Sequence, residues 1–216
     1  MQLQGFIFDF NGTLLWDTAL HNRAWDIFLE KHGLALSDEE KSHAIHGKMN
    51  CDILPAIFGE ALSSNTITRY ANEKESIYRD ICSRSGIGLA PGSEWLLNQL
   101  MQKGVRCAIA TASPEVNVRY YIQRFNLYRW FEPNAIVFDN GTFRSKPHPD
   151  LFIEAAKQLE LDPSLCAIAE DSRAGIAAAT AAGAGKIYHV NSLEQINPII
   201  GHNSIDSFHQ VDLDLF

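Results

Sequence analysis

A doubly wound, three-layer α/β fold, with a Rossmann-like parallel sheet and an inserted α-helical cap, is the architecture this 216-residue chain predicts. Three observations carry that expectation. Five short apolar runs are mostly continuous rather than alternating, as expected of strands covered on both faces. Helix signals separate the later four runs. The long interval between the first run and the second also reads as helices, more than a single crossover needs.

Taken in order, Leu3 to Phe8 is the first expected strand. After it, Thr18 to His32 is amphipathic and stops at Gly33, while Ser37-Asp38-Glu39-Glu40 fits a capping box. Ser64 to Ser85 carries Ile67, Tyr70, Ala71, Ile77, Tyr78 and Ile81 at roughly helical spacing. Residues 17–90 are therefore expected to leave the core as a helical cap domain, with 1–16 and 91–216 forming the α/β core. Pro91-Gly92 marks a turn before a helix through Trp95, Leu96, Leu97 and Leu100, which Gly104 ends. Val105 to Ala110 is the second strand. Ser113-Pro114-Glu115 then reads as N-cap, first helical residue and acidic first turn. Ala135 to Phe138, Leu165 to Ala169 and Lys186 to Val190 complete the strands, with helices opening at Pro149-Asp150 and running from Ala174 to Ala182. The polar stretch from Leu193 is weakly patterned and receives no assignment.

Eighteen basic against twenty-six acidic residues give a net charge of -8, which disfavours nucleic acid and anionic membranes, and no basic patch offsets it. No run approaches the ~18 apolar residues of a membrane span. MQLQGFIFDF has neither the basic flank nor the cleavage site of a signal peptide. Cys51, Cys82, Cys107 and Cys166 form no C-x-x-C pair, so free thiols in a reducing cytoplasm are expected. Nothing in the sequence calls for an assembly beyond a monomer.

Ligands of a parallel α/β sheet sit beyond the carboxyl ends of its strands. Those ends carry Asp9, Thr111 and the pair Glu170-Asp171, with Lys146 shortly before the helix leading to the fourth strand. Three carboxylates meeting in one crevice repel each other unless a cation joins them, and oxygen ligands beside a phosphate favour Mg2+. Thr111 and Ser113 offer hydroxyls before a helix N-terminus, an anion site, and Lys146 adds positive charge. Such a set suits in-line displacement at phosphorus by a carboxylate.

The run Phe8-Asp9-Phe10-Asn11-Gly12-Thr13-Leu14 resembles the first motif of the haloacid dehalogenase-like hydrolases. Ile109-Ala110-Thr111-Ala112-Ser113, Ser145-Lys146-Pro147-His148-Pro149-Asp150 and Glu170-Asp171-Ser172-Arg173-Ala174-Gly175-Ile176 resemble the other three, in order. The helical insert is similar to the cap of the subgroup with β-phosphoglucomutase and many sugar-phosphate phosphatases, as are Asp17-Thr18-Ala19, His21 and Arg23-Ala24-Trp25. The resemblance implies a Mg2+-dependent phosphatase of a small phosphorylated metabolite, with an aspartyl-phosphate forming on Asp9. It implies metal ligation by Asp9, the Asn11 carbonyl and Asp171, with Glu170 a direct or water-bridged partner. It also implies phosphoryl binding by Thr111, the Ala112 and Ser113 amides and Lys146. His21, Lys48, Asn50 and Lys74 are cap candidates for substrate contact, whereas Trp25 and Tyr78 are expected in the core.

Asn11 departs from the family pattern, in which a second acidic residue protonates the leaving oxygen and later activates water. An amide donates a hydrogen bond but exchanges no useful proton near neutral pH, and that exchange is worth about 10²–10⁴-fold. Alkyl phosphates are therefore expected to turn over slowly. A β-phosphoglucomutase-like mutase would need the acid–base group still more, and a non-catalytic phosphometabolite-binding protein is the other alternative. Phosphonate cleavage would require a cap lysine where Asn50 aligns, with Lys48 two residues early. Dehalogenation needs no metal pair such as Glu170-Asp171. The spacing from Asp9 to Asp17 is one residue longer than the family's, and Asn11-Gly12 is a deamidation-prone sequence.

Overall fold

The computed structural model describes residues 2–59, 62–192 and 204–216. A six-stranded, all-parallel sheet forms the centre, in the order β3-β2-β1-β4-β5-β6. Its strands are β1 (Gly5–Phe8), β2 (Arg106–Pro114), β3 (Ile136–Asp139), β4 (Cys166–Glu170), β5 (Lys186–Val190) and β6 (Ser204–Ile205). The chain builds outward from β1 through β2 to β3, then returns to the other side of β1 with β4. That reversal opens a crevice at the carboxyl ends of β1, β2 and β4, where side chains from separate strands can meet.

The continuous apolar runs are explained by cover on both faces. Phe6 and Phe8 of β1 point into one core with Leu96, Leu97 and Leu100 of α5 (Ser93–Gln102) and with Val118 and Tyr121 of α6 (Glu115–Phe125). Ile7 points the other way, among Leu151, Phe152, Ala155 and Ala156 of α7 (Asp150–Gln158) and Ala178 and Ala179 of α8 (Arg173–Ala181). Alanines on the second face let those helices lie close to the sheet. The result is the expected three-layer core.

Between β1 and α5 stand four helices: α1 (Thr18–Lys31), α2 (Asp38–Ala44), α3 (Asn50–Phe58) and α4 (Ser64–Arg84). They enclose their own small core of Trp25, Phe28, Leu29, Ile45, Ile53 and Leu54. The capping box at Ser37 forms as expected: Glu40 N–H donates to Ser37 Oγ, and the Glu40 carboxylate accepts from Ser37 N–H.

One local expectation needs correction. Ser113 does not cap α6; it remains on β2, and Pro114, extended at φ -71° and ψ 159°, occupies the cap position. Proline needs no N–H partner there, which frees the Ser113 hydroxyl for the crevice. The C-terminal segment also contributes more than its weak pattern suggested. Although 193–203 lie outside the described residues, Phe208 packs edge-on against Phe8 and Phe216 stacks on Phe6, both buried. Two isolated aromatics carry no periodicity, so nothing in the sequence announced them.

Candidate active site

β1 ends at Phe8 and delivers Asp9 to the crevice, where the Asp9 N–H is tied to the Ala169 carbonyl of β4 at 3.0 Å. Lys146, wholly buried, donates to Asp9 Oδ1 and to Glu170 Oε2, each at 2.6 Å. Glu170 ends β4, and its other oxygen accepts from Asp171 N–H, Ser172 N–H and the Ser172 hydroxyl. Asp171 completes the group: ligand oxygens of Asp9, Glu170 and Asp171 lie within 4.8 Å of one another. Three negative charges against one ammonium leave two in excess, the charge of one divalent cation.

The protonation tendencies show the same imbalance. Burial, with Glu170 beside it, pushes the Asp9 carboxyl up to about 8 despite Lys146. Burial and the neighbouring Glu170 and Asp9 charges also raise Asp171 far above the carboxylate range. Burial would raise Glu170 too, but the Lys146 charge and the Ser172 donors outweigh it and hold that carboxyl low. A divalent cation relieves this repulsion, and an all-oxygen carboxylate set is what a hard ion such as Mg2+ takes. Asp9, Asp171 and the Asn11 carbonyl would hold it, with Glu170 positioned more by Lys146 and Ser172.

Asn11 occupies a saturated amide position. Its Nδ2 donates to Asp17 Oδ2 at 2.8 Å and to the Tyr121 hydroxyl at 2.9 Å; its Oδ1 accepts from Ser113 Oγ at 2.7 Å and Thr111 Oγ1 at 3.5 Å. Acceptor-only Asp17 fixes the amide's orientation. Asp17 is fully buried and also accepts from Gly12 N–H and the Tyr78 hydroxyl. Burial would raise its carboxyl, but the adjacent His21, 3.4 Å away, and these donors hold it below the usual range. Asp17 does precede α1, yet its side chain caps the first-motif loop rather than the helix.

Across from the carboxylates, the cap closes a cavity of about 90 Å³ whose lining includes Asp9, Asn11, Thr111, Ala112, Ser113 and Asp171 from the core. From the cap come His21, Trp25, His46, Lys48, Asn50 and Lys74. The structure thus brings every expected site residue to one place except the fully enclosed Lys146 and Glu170, which sit directly beneath it. Lys48 reaches the rim, its ammonium donating to the His43 carbonyl at 2.8 Å. Trp25 and Tyr78 are core as expected, but Trp25 also faces the cavity. Sequence reasoning missed Glu75, which lines the cavity, and Tyr121 and Asn117, whose buried polar atoms bond to Asn11 and Glu75 from behind it. Only the adjacency of Glu75 to Lys74 offered a signal.

Fold and site together define a capped α/β hydrolase with a carboxylate–lysine centre at the switch point of its sheet. The chain belongs to the haloacid dehalogenase-like hydrolases, whose family model matches residues 6–189. Within them it is of the β-phosphoglucomutase and small-molecule phosphatase type. It is 32% identical over 185 residues to hexitol phosphatase A of Escherichia coli K12, covering 85% of this chain and 81% of that protein. It is 28% identical over 190 residues to the β-phosphoglucomutase of Bacillus subtilis, covering 84% and 80%. A family IA, variant 3 hydrolase of this superfamily from Entamoeba histolytica superposes with a TM-score of 0.88 at 32% identity, covering 99% of this chain and 97% of that one. Among the described residues, no helix is long and apolar enough to cross a membrane.

Proposed function

We propose that the chain is a Mg2+-dependent phosphatase that hydrolyses a small phosphomonoester through an aspartyl-phosphate on Asp9, with residues 17–90 acting as the substrate-covering cap. The observation that carries this reading is the Lys146 ammonium held at 2.6 Å from both Asp9 and Glu170, with Asp171 closing the carboxylate group. The amine fixes Asp9 Oδ1 and therefore the direction in which the carboxylate faces the cavity. A bound cation would neutralise the carboxylates and the incoming phosphoryl oxygens. Thr111 and the Ala112 and Ser113 amides, just before α6, would receive those oxygens.

In the first half-reaction an Asp9 oxygen forms a bond to phosphorus as the ester P–O bond breaks, and the departing alkoxide takes a proton. In the second, water attacks phosphorus and Asp9 is released as a carboxylate, its phosphate leaving. Asn11 can neither give the first proton nor take the second. With both amide hydrogens already committed to Asp17 and Tyr121, it serves to order the loop. Water must carry the proton, so turnover is slow for alkyl esters and less impaired for an activated aryl ester such as p-nitrophenyl phosphate, whose leaving phenolate needs little protonation.

The same saturated amide favours one second reading, a phosphometabolite-binding protein that retains the anion and cation sites without useful turnover. A mutase is disfavoured because both of its half-reactions need the missing proton exchange. Turnover of p-nitrophenyl phosphate by the wild type, lost in Asp9→Ala and on chelation, supports the phosphatase. A silent wild type rescued by Asn11→Asp supports the binder; activity surviving Asp9→Ala ends the Asp9 mechanism.

A further inference from the structure

The wall of the cavity opposite Asp9 carries a buried cation that is already spent. Lys74, only 2% exposed, donates to Glu75 Oε1 and to His21 Nδ1, both at 3.0 Å, and lies 4.9 Å from the centre of the Trp25 ring. Glu75, 3% exposed, also accepts from Asn50 Nδ2 at 2.8 Å and from Asn117 Nδ2 at 2.6 Å. Arg79 donates to Asn117 Oδ1 at 2.7 Å. The cap wall therefore presents the Lys74–Glu75 ion pair, an indole face and an Asn50 amide committed to Glu75.

We infer that Glu75, by cancelling the Lys74 charge, makes this wall discriminate against a second phosphate on the portion of the substrate beyond the transferred phosphoryl group. The inference rests on the phosphatase reading of the same site and concerns its charge selectivity. A second phosphate pressed against the wall would have to displace Glu75 from Lys74 or lie beside the Glu75 carboxylate, losing hydration for no net attraction. His46, on the same wall, supplies no charge either: burial drives its imidazole down to about 4, and its Nε2 is engaged with Asn22 Oδ1 at 2.9 Å. Lys48, the other lysine among the described lining residues, donates to the His43 carbonyl at 2.8 Å. Hydroxyl groups, by contrast, can stack a ring face on Trp25 and share polar atoms without charge.

The test compares a hexose monophosphate with the bisphosphate of the same hexose, in Mg2+, on the full chain. The expected kcat/KM is at least tenfold higher for the monophosphate, carried mainly by KM. Glu75→Gln, which leaves the Lys74 charge uncompensated, should shift the ratio at least tenfold toward the bisphosphate. The double variant Lys74→Met/Glu75→Gln, again neutral and freed of a buried unpaired charge, should return the ratio to that of the wild type; it keeps the test open if the single variant does not fold. Equal or greater efficiency on the bisphosphate overturns the inference, as does a ratio that Glu75→Gln leaves unmoved. p-Nitrophenyl phosphate turnover, lost in Asp9→Ala, is read separately: its absence in the wild type counts against the phosphatase reading alone. Calorimetric titration with the same two sugar phosphates then reads the same discrimination in Kd.

Discussion

At residue scale, the site is decided by what surrounds each carboxylate. Asn11 is the most consequential position. An aspartate there would put a second acid beside Asp17 Oδ2, now 2.8 Å from the Asn11 amide nitrogen. Like-charge repulsion would raise its pKa toward the range a general acid needs. Asn11→Asp should therefore increase kcat for alkyl phosphates by about 10²–10⁴-fold and add an alkaline limb to the pH–rate profile, the acid being lost as pH rises. Unchanged alkyl-phosphate turnover would refute this account of the departure. Gly12 has a φ of +80°, and a Cβ on it would fall 2.2 Å from Asp171 Oδ2. Gly12→Ala should cost about 1–3 kcal/mol in strain and displace Asp171, measurable as weakened Mg2+ binding. Despite its sequence, Asn11-Gly12 is protected from deamidation, because the attacking Gly12 N–H is held by the Leu15 carbonyl at 2.7 Å and by Asp17 Oδ1 at 3.0 Å. Peptide mapping of aged protein should find Asn11 intact.

At the scale of elements, α4 is fastened to α3 and α6 by Glu75, and to α1 by Lys74 through His21, rather than by apolar contacts alone. Burial would raise its carboxyl, but Lys74, His21 and the Asn50 amide outweigh that and bring it down to about 2 from an ordinary value of 4.5. A depressed carboxyl stabilises the fold above its unfolded pKa and loses that contribution as pH falls through the folded one. Wild-type stability owed to Glu75 should therefore be full above about pH 4.5 and vanish toward pH 2, on the order of 3 kcal/mol. Glu75→Gln should lose a similar amount at neutral pH and show a flatter acid limb in chemical denaturation. The capping box on α2 is exposed, and Ser37→Ala should cost only about 1 kcal/mol. Helix identity was legible because amphipathic spacing is local. The start of α6 was not, because an extended proline and a hydroxyl drawn onto Asn11 are outcomes of tertiary contact.

For the whole molecule, the excess of two negative charges at the sheet switch point would make cation binding part of stability. Asp9 sits at about 8 against an ordinary 3.8, so the cation-free fold takes up a proton within that window and loses stability as pH rises through it. On the proposed function, Mg2+ would compete with that proton. Its stabilisation should be larger at pH 8 than at pH 6, reaching ~2.7 kcal/mol at a hundred times Kd, and chelation should remove it. A Tm insensitive to Mg2+ at both pH values would contradict the carboxylate assignment. The cap and core also meet through specific atoms: Met49 N–H donates to Ser145 Oγ at 2.9 Å, next to Lys146. The cap thereby touches the loop that holds Lys146.

What the sequence determined by itself was the parallel core, the helical insert, and the identities of Asp9, Lys146, Glu170 and Asp171. Strand runs, helix periods and motif residues are local patterns, and the order of the motifs along the chain already limits which strand ends can carry them. Tertiary structure alone decided that Asn11 is locked by Asp17 and Tyr121, that Glu75 cancels Lys74 on the cavity wall, and that Phe208 and Phe216 complete the core. Each of those depends on side chains far apart in the chain meeting in low dielectric, where one hydrogen bond or one neighbouring charge outweighs any intrinsic preference of the residue.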